Sequence, residues 1–132
     1  MSSSEVDSPE SMNPIHVERV ESVFLLLGAI CAYSMIHASW WFFGILFLAP
    51  DISMLGYLKN PRVGAWLYNL AHTYALPVIA AGIGYGLNLR VVLGCAITWF
   101  AHIAADRALG YGLKLKTGFH DTHLGRIGKV IN

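Results

Sequence analysis

The sequence predicts an all-α integral membrane protein, a bundle of four transmembrane helices with both termini in the cytoplasm. The first observation is composition. The 132 residues are 55% hydrophobic and only 13% charged, whereas a soluble domain is about 45–50% apolar and about 25% charged. The second is that four apolar runs follow one another, each near the ~20 residues that a transmembrane helix needs. The third is the placement of lysine and arginine along the chain.

The chain divides into three predicted parts. Residues 1–14 are acidic and rich in serine, so they are predicted to be a disordered tail. Residues 15–113 contain the four apolar runs and are predicted to form the transmembrane domain. Residues 114–132 are predicted to be a basic cytoplasmic tail. The net charge of +1 is too small to draw the chain onto nucleic acid, so no nucleic-acid partner is expected.

The first two predicted helices differ in regularity. The first begins near Val17 and ends near His37. The second begins at Trp40 with an aromatic cluster that is typical of a membrane interface. Because Pro50 removes a backbone donor inside this run, the second helix is expected to kink or break there.

The third and fourth predicted helices cover residues 63–87 and 91–113. The third contains Pro77 and is also expected to be interrupted. Near its end, Gly82 and Gly86 form a pair of small residues predicted to allow close helix packing. In the fourth helix Trp99 is predicted to pack inside the bundle. Arg107 is predicted to snorkel to the interface, with pairing to Asp106 or a phosphate contact as alternatives.

Basic residues set the predicted orientation. In a four-span topology, Arg90 alone lies on the side opposite the termini. The side that holds both termini collects the other eight basic residues, which are Arg19, Lys59, Arg62, Arg107, Lys114, Lys116, Arg126 and Lys129. This bias predicts a multi-pass protein of the inner (plasma) membrane with both termini cytoplasmic.

Ionisable residues inside the spans are the candidate functional residues, because burying them in a bilayer is costly. Counted at about 1.5 Å per residue, Asp51, His72, His102 and Asp106 fall in one layer of the cytoplasmic leaflet. His102 and Asp106 are four residues apart and therefore share a helix face. Glu21 lies near the same level at the start of the first helix.

Two imidazoles and two carboxylates form a ligand set that suits a divalent cation such as zinc, manganese or iron. Asp51, His72, His102 and Asp106 are therefore the predicted metal ligands. Such an ion activates water for attack on an ester or phosphodiester. Glu21 or His123 is the predicted acid/base, the latter if residues 120–123 fold back over the site. The bilayer itself and a lipid or phosphoester substrate are the expected partners.

Three segments carry a resemblance to a known family. They are Phe47–Leu58, Pro61–Pro77 and His102–Gly125, the last containing DRALGYGLK and THLG. These segments resemble the small bacterial membrane-protein family labelled domain of unknown function 4260, over roughly residues 20–125. The resemblance implies an integral membrane protein and gives no activity.

A more distant likeness concerns the chemistry. Pro50-Asp51, His72 and the pair His102 and Asp106 look like elements of the LexA-regulated, inner-membrane metal-dependent hydrolase family. That family's motif continues Pro-Asp-x-Asp, but Ser53 stands at the second acid here, and its His-Arg and Thr-His-Ser block has no clear counterpart. The resemblance therefore implies a hydrolase with one metal ion or a degenerate site rather than two ions.

Three other hypotheses remain open at this stage. The same carboxylates and imidazoles suit a carrier of ions, protons or small solutes, for which a homo-oligomer would supply symmetry. His72 and His102 are also the residues that would hold a haem. Finally, polar residues inside a bundle can serve packing alone, which describes a membrane scaffold without chemistry.

Overall fold

The computed structural model describes residues 13–115 and 120–126, and helices make up most of this part. The α-helices are α1 (Pro14–Met35), α2 (Trp40–Phe47), α3 (Pro61–Ala71), α4 (Ala75–Gly86) and α5 (Arg90–Leu109), and a 3₁₀ helix covers Ala49–Leu58. Two-residue strands β1 (Asp121–Thr122) and β2 (Gly125–Arg126) form an antiparallel hairpin. The predicted all-α class is confirmed apart from this hairpin. Most of the predicted tail 1–14 lies outside the described residues.

Asn-Pro pairs begin two of the helices. The side chain of Asn13 accepts a hydrogen bond from the Ile15 N–H at 3.0 Å, and that of Asn60 accepts one from the Val63 N–H at 2.8 Å. The proline that follows each asparagine occupies the first helical position, where its missing N–H costs nothing. These caps fix the starts of α1 and α3.

The second and third apolar runs are both interrupted. The second run breaks where expected, since α2 ends at Phe47 and the 3₁₀ helix has Pro50 in its first turn. The third run breaks earlier than Pro77, over residues 72–74, which separate α3 from α4. Pro77 itself lies in the first turn of α4, where a helix has no internal partner for an N–H.

Helix α5 is the centre of the bundle. It packs against α1, α4 and α2, while α3 packs against the 3₁₀ helix. Small residues on α5, such as Ala96, Ala101 and Ala104, are fully buried and let the neighbouring helices approach closely. Tyr33 of α1 is also fully buried, and its hydroxyl donates to the Ser39 carbonyl at 2.5 Å.

Close packing of α4 depends on a different glycine from the predicted pair. A Cβ atom on Gly82 or Gly86 would meet no atom within 4 Å, so the expected contact is wrong within this chain. At Gly84, by contrast, a Cβ would lie 2.7 Å from the Leu93 nitrogen of α5. Gly84 therefore allows the α4–α5 turn to close.

Two segments are long and apolar enough to cross a membrane, namely Trp40–Leu58 with 19 residues and Arg90–Leu109 with 20. Large apolar side chains cover the outer surface of the bundle. Trp41, Ile45 and Tyr85, for example, are 85%, 73% and 80% exposed. So many exposed large apolar side chains are unusual for a protein surrounded by water. The four-span topology stays a prediction.

Candidate metal centre

Three elements bring together all four residues that the sequence singled out as ligands. Asp51 lies in the first turn of the 3₁₀ helix, and His72 is the residue that ends α3. His102 and Asp106 lie one turn apart on α5. One ligand atom from each residue, either an imidazole nitrogen or a carboxylate oxygen, lies within 4.8 Å of all the others. A group with this spacing is able to hold a metal ion.

The four atoms form a distorted tetrahedron. The Nε2 atoms of His72 and His102 are 3.1 Å apart. Asp51 Oδ1 lies 3.4 Å and 3.2 Å from these two nitrogens, and Asp106 Oδ2 lies 3.3 Å and 3.2 Å from them. A tetrahedron around a cation with metal–ligand distances of 2.0–2.1 Å has edges of about 3.3–3.4 Å. One nitrogen–nitrogen distance and four nitrogen–oxygen distances are therefore close to the edge lengths of a zinc coordination tetrahedron.

A backbone carbonyl sets the tautomer of His72. Its Nδ1 lies 2.8 Å from the Tyr68 carbonyl oxygen, which can only accept a hydrogen bond. Nδ1 must therefore carry a proton, so the neutral ring presents the lone pair of Nε2 to the centre of the group. A metal-binding histidine is commonly held in this way by a carbonyl behind it.

Burial decreases from the histidines to Asp51. The side chains of His72 and His102 are 0% and 3% exposed, that of Asp106 is 17% exposed, and that of Asp51 is 34% exposed. The group is therefore most open on the side of Asp51.

Aromatic rings enclose the two imidazoles. The ring of Tyr68 stacks on that of His72 with centroids 3.7 Å apart, and its hydroxyl donates to Asp106 Oδ2 at 3.4 Å. The ring of Phe47 meets that of His102 edge-on at 5.2 Å. These contacts fix the ring planes and exclude water from the deeper side of the group.

A buried lysine lies beyond Tyr68. Lys114 is 4% exposed, and its ammonium lies 4.9 Å from the Tyr68 ring centre. Burial lowers the pKa of Lys114, while the negative charges of Asp106 and Asp51 oppose that shift. The Lys114 N–H donates to Asn69 Oδ1 at 2.6 Å, and Asn69 Nδ2 donates to the Lys114 carbonyl at 2.7 Å, so the Asn69 side chain holds the backbone of this segment on α3.

Side chains of α5 satisfy the carbonyl groups that the break after α3 leaves without helical partners. Trp99 Nε1 donates to the Ala71 carbonyl at 2.6 Å, and Arg107 donates to the His72 carbonyl at 2.9 Å. Arg107 is 4% exposed, so the prediction that it snorkels to the interface is wrong. Its burial is possible because it also donates to the Tyr111 carbonyl and lies 3.8 Å from a Glu18 oxygen.

The predicted acid/base residues lie in a neighbouring region. Glu21 is exposed on α1 and lines a cavity of about 630 Å³ with Glu18 and Tyr74. His123 folds back onto the bundle, where its Nε2 lies 3.2 Å from Glu18 Oε1 and its Nδ1 accepts the Leu113 N–H at 2.8 Å. Among the described residues, the group of four ligands includes neither Glu21 nor His123.

Sequence reasoning missed the supporting residues Tyr68, Arg107 and Lys114. Tyr68 precedes His72 by four residues on the same helix, and this spacing is the signal by which it was detectable. The burial of Arg107 and Lys114 depends on contacts between distant segments, which no local pattern reveals.

Comparison with known proteins assigns the chain to a family but does not indicate an activity. Residues 16–127 match the family model described as Domain of unknown function (DUF4260). No curated protein and no solved structure matches the chain. The family is the one that the three sequence segments resemble, while the likeness to the inner-membrane hydrolases stays a prediction.

Proposed function

We propose a function for the protein from the candidate metal centre. The chain belongs to the family described as Domain of unknown function (DUF4260), and that description gives no activity. The protein is a multi-pass membrane protein that holds one divalent cation, zinc, manganese or iron. The ligands are Asp51, His72, His102 and Asp106. The bound cation serves to hydrolyse an ester or phosphoester bond at the cytoplasmic leaflet.

Surface apolarity and charge placement support the membrane part of the proposal. Two segments have the length and composition of a membrane span. In the predicted topology, α1, the α2–3₁₀ segment, the α3–α4 segment and α5 are the four spans, and eight of the nine basic residues lie on the side of the termini. We place both termini in the cytoplasm and the protein in the inner (plasma) membrane.

The observation that carries the metal proposal is the convergence of four acceptor atoms. Each histidine Nε2 has three neighbours at 3.1–3.4 Å, namely two carboxylate oxygens and the other Nε2. A single N–H satisfies only one of these neighbours, so a set of hydrogen bonds explains the arrangement poorly. A divalent cation held by Asp51, His72, His102 and Asp106 would neutralise both carboxylates, which would remove most of the cost of burying them.

One ion fits this chain better than two. Ser53 stands where the resemblance to the inner-membrane hydrolases places a second acid, and its hydroxyl donates to the Pro50 carbonyl at 2.7 Å. Ser53 therefore contributes to the local turn of the 3₁₀ helix and supplies no charge for a second cation.

The bound cation would supply a Lewis acid that polarises the substrate carbonyl or phosphoryl oxygen and activates water. Asp51, the ligand most exposed to solvent, is the nearest carboxylate to the accessible side of the site. Because Asp51 Oδ1 is the atom in the group of four, we assign the second oxygen of this carboxylate, Oδ2, to accept a proton from the attacking water. The bond from the water oxygen to carbon or phosphorus forms, the ester bond breaks, and the proton passes to the leaving oxygen. Glu21 and His123 remain predicted acid/base residues, and Tyr68 orients Asp106.

Elemental analysis of the purified protein tests the metal proposal directly. Protein purified without chelator should carry close to one divalent ion per chain. His72→Ala and His102→Ala should lower the affinity for that ion by more than the roughly 10–100-fold that loss of a supporting group costs. His16→Ala is the matched control, because His16 is exposed on α1. Equal ion content in all four proteins, or no ion in the wild type, would refute the proposal.

The remaining hypotheses predict different results. A carrier would show flux across proteoliposomes that depends on Asp106, with or without a resident ion. A scaffold would carry no divalent ion, and His72→Ala would lower its stability equally with and without added zinc. Haem requires the two histidine nitrogens to face opposite sides of a porphyrin plane, whereas here they are 3.1 Å apart, so the geometry favours a bare cation.

A further inference from the structure

A cavity of about 350 Å³ adjoins the candidate metal centre. We call it the α5 cavity, because α5 forms one wall and the end of α2, the 3₁₀ helix and the end of α3 form the others. Its volume is at the lower end of the roughly 300–1,000 Å³ that is typical of small-molecule sites. The residues that line it include Leu46, Ala49, Pro50, Ala71, Cys95 and Trp99.

The α5 cavity and the metal centre are continuous along three elements. Pro50 precedes the ligand Asp51, and Ala71 precedes the ligand His72. On α5, Cys95 and Trp99 lie seven and three residues before His102, so they share its helix face. The metal centre therefore lies at one end of the cavity.

The cavity offers a ligand almost no hydrogen-bonding group. Its two polar side chains already donate elsewhere, since Trp99 Nε1 is bonded to the Ala71 carbonyl and the Ser53 hydroxyl to the Pro50 carbonyl. Cys95 adds a half-buried thiol, which behaves as a small apolar group. A hydrocarbon is the occupant that such a lining accepts without leaving polar groups unpaired.

The direction of α5 gives the orientation of that occupant. Trp99 and Cys95 precede the ligands, and Asp106 follows Cys95 by about 16 Å along the helix. With the end of α5 on the cytoplasmic side, the cavity lies nearer to the bilayer centre and the ligands lie nearer to the interface. A lipid of the cytoplasmic leaflet has the same polarity, with its chain toward the centre and its ester groups toward the water.

We propose that the α5 cavity binds one hydrocarbon chain of a bilayer lipid and thereby places an ester or phosphoester group of that lipid at the metal centre. This inference rests on the proposed function and names its substrate class. A chain that moves from the bilayer into the cavity leaves one apolar environment for another. The cavity therefore selects chains by shape, and it adds little affinity of its own.

A photoreactive lipid tests the inference. The full-length protein is placed in vesicles of phosphatidylethanolamine and phosphatidylglycerol that contain phosphatidylglycerol with a diazirine near the end of one acyl chain. After illumination, mass spectrometry locates the cross-linked residues. We expect cross-links at Cys95, Trp99 and Leu46 in addition to those on the outer surface.

The variant Ala49→Trp fills the cavity from an exposed position of the 3₁₀ helix. It should lower cross-linking at Cys95 and Trp99 severalfold and leave the metal content unchanged. The matched control is Ala75→Trp, because Ala75 is also an exposed alanine but does not line this cavity. It should change neither quantity.

Two results would refute the chain-binding cavity, and a third would refute the proposed function instead. Cross-links confined to outer residues such as Ile45 and Ile52 in the wild type would refute the chain-binding cavity. If Ala49→Trp keeps its metal and also keeps its cross-links, the cavity is likewise not the binding place. Cross-links in the cavity of a protein that binds no metal would instead refute the proposed function and leave the chain-binding cavity standing.

Discussion

Replacing Asp51 with asparagine should have opposite effects on stability with and without the metal ion. In the metal-free protein, the carboxylates of Asp51 and Asp106 have ligand oxygens within 4.8 Å of each other. At an effective dielectric constant of about 20, two unit charges at that distance repel each other by about 3.5 kcal/mol. Because the Asp51 side chain is 34% exposed, water screens part of this repulsion, and we expect about 1–3 kcal/mol.

Asp51→Asn removes that repulsion and introduces an amide that donates to the histidine nitrogens. With a chelator present, the variant should therefore be more stable than the wild type. With zinc present, the order should reverse. An ion at 100 times its dissociation constant stabilises the wild type by about 2.7 kcal/mol, whereas the variant has lost an anionic ligand and binds the ion weakly.

Thermal unfolding in detergent, followed by the fluorescence of the tryptophans, measures both conditions at pH 8. Glu21→Gln is the control, since it also removes a carboxylate but lies outside the group of four ligands. It should respond to zinc as the wild type does. If Asp51→Asn lowers stability equally with zinc and with chelator, the four residues form a structural ion-pair cluster and the reasoning about a metal centre is wrong.

Three further predictions concern helix packing, the backbone at Lys114 and the membrane topology. Gly84→Ala should destabilise the protein by about 1–3 kcal/mol, because its Cβ would meet Leu93 at 2.7 Å, while thermal unfolding should show no such loss for Gly82→Ala. Asn69→Ala removes two hydrogen bonds to the Lys114 backbone, so hydrogen exchange at residues 113–115 should accelerate while the metal content is kept. Alkaline phosphatase fused to either terminus should be inactive in a bacterial host and active when inserted at residue 88; the reverse pattern would contradict the topology.

Residue type and helical depth were sufficient to predict which four residues lie together in the candidate metal centre. His102 and Asp106 form a pair on one helix face at any orientation of α5. Asp51 and His72 belong to other segments, yet counting residues from the cytoplasmic helix ends placed them in the same layer. The prediction assumed a bilayer, which limits where an ionisable group can lie, so depth alone removed most alternatives.

The rotation of each helix and the contacts between distant segments were not predictable in this way. The glycine that approaches α5 is Gly84 rather than the predicted pair, because helix rotation depends on packing that the pattern of small residues does not fix. His123 contacts Glu18 rather than the group of four. The Gly84–Leu93 contact depends on how the α4–α5 turn closes, and the His123–Glu18 contact joins residues 105 positions apart.

The break after α3 shows why α5 determines the site as a whole. A helix leaves its last carbonyl groups without helical partners. Each polar group that stays unsatisfied inside a bilayer costs several kcal/mol. Trp99 and Arg107 satisfy those of Ala71 and His72, and they flank the α5 ligands in sequence. The same helix therefore supplies two of the proposed ligands, His102 and Asp106, and secures the position of a third, His72. Because these hydrogen bonds need no ion, they hold His72 in place without one, and the proposed metal site needs this kind of preorganisation.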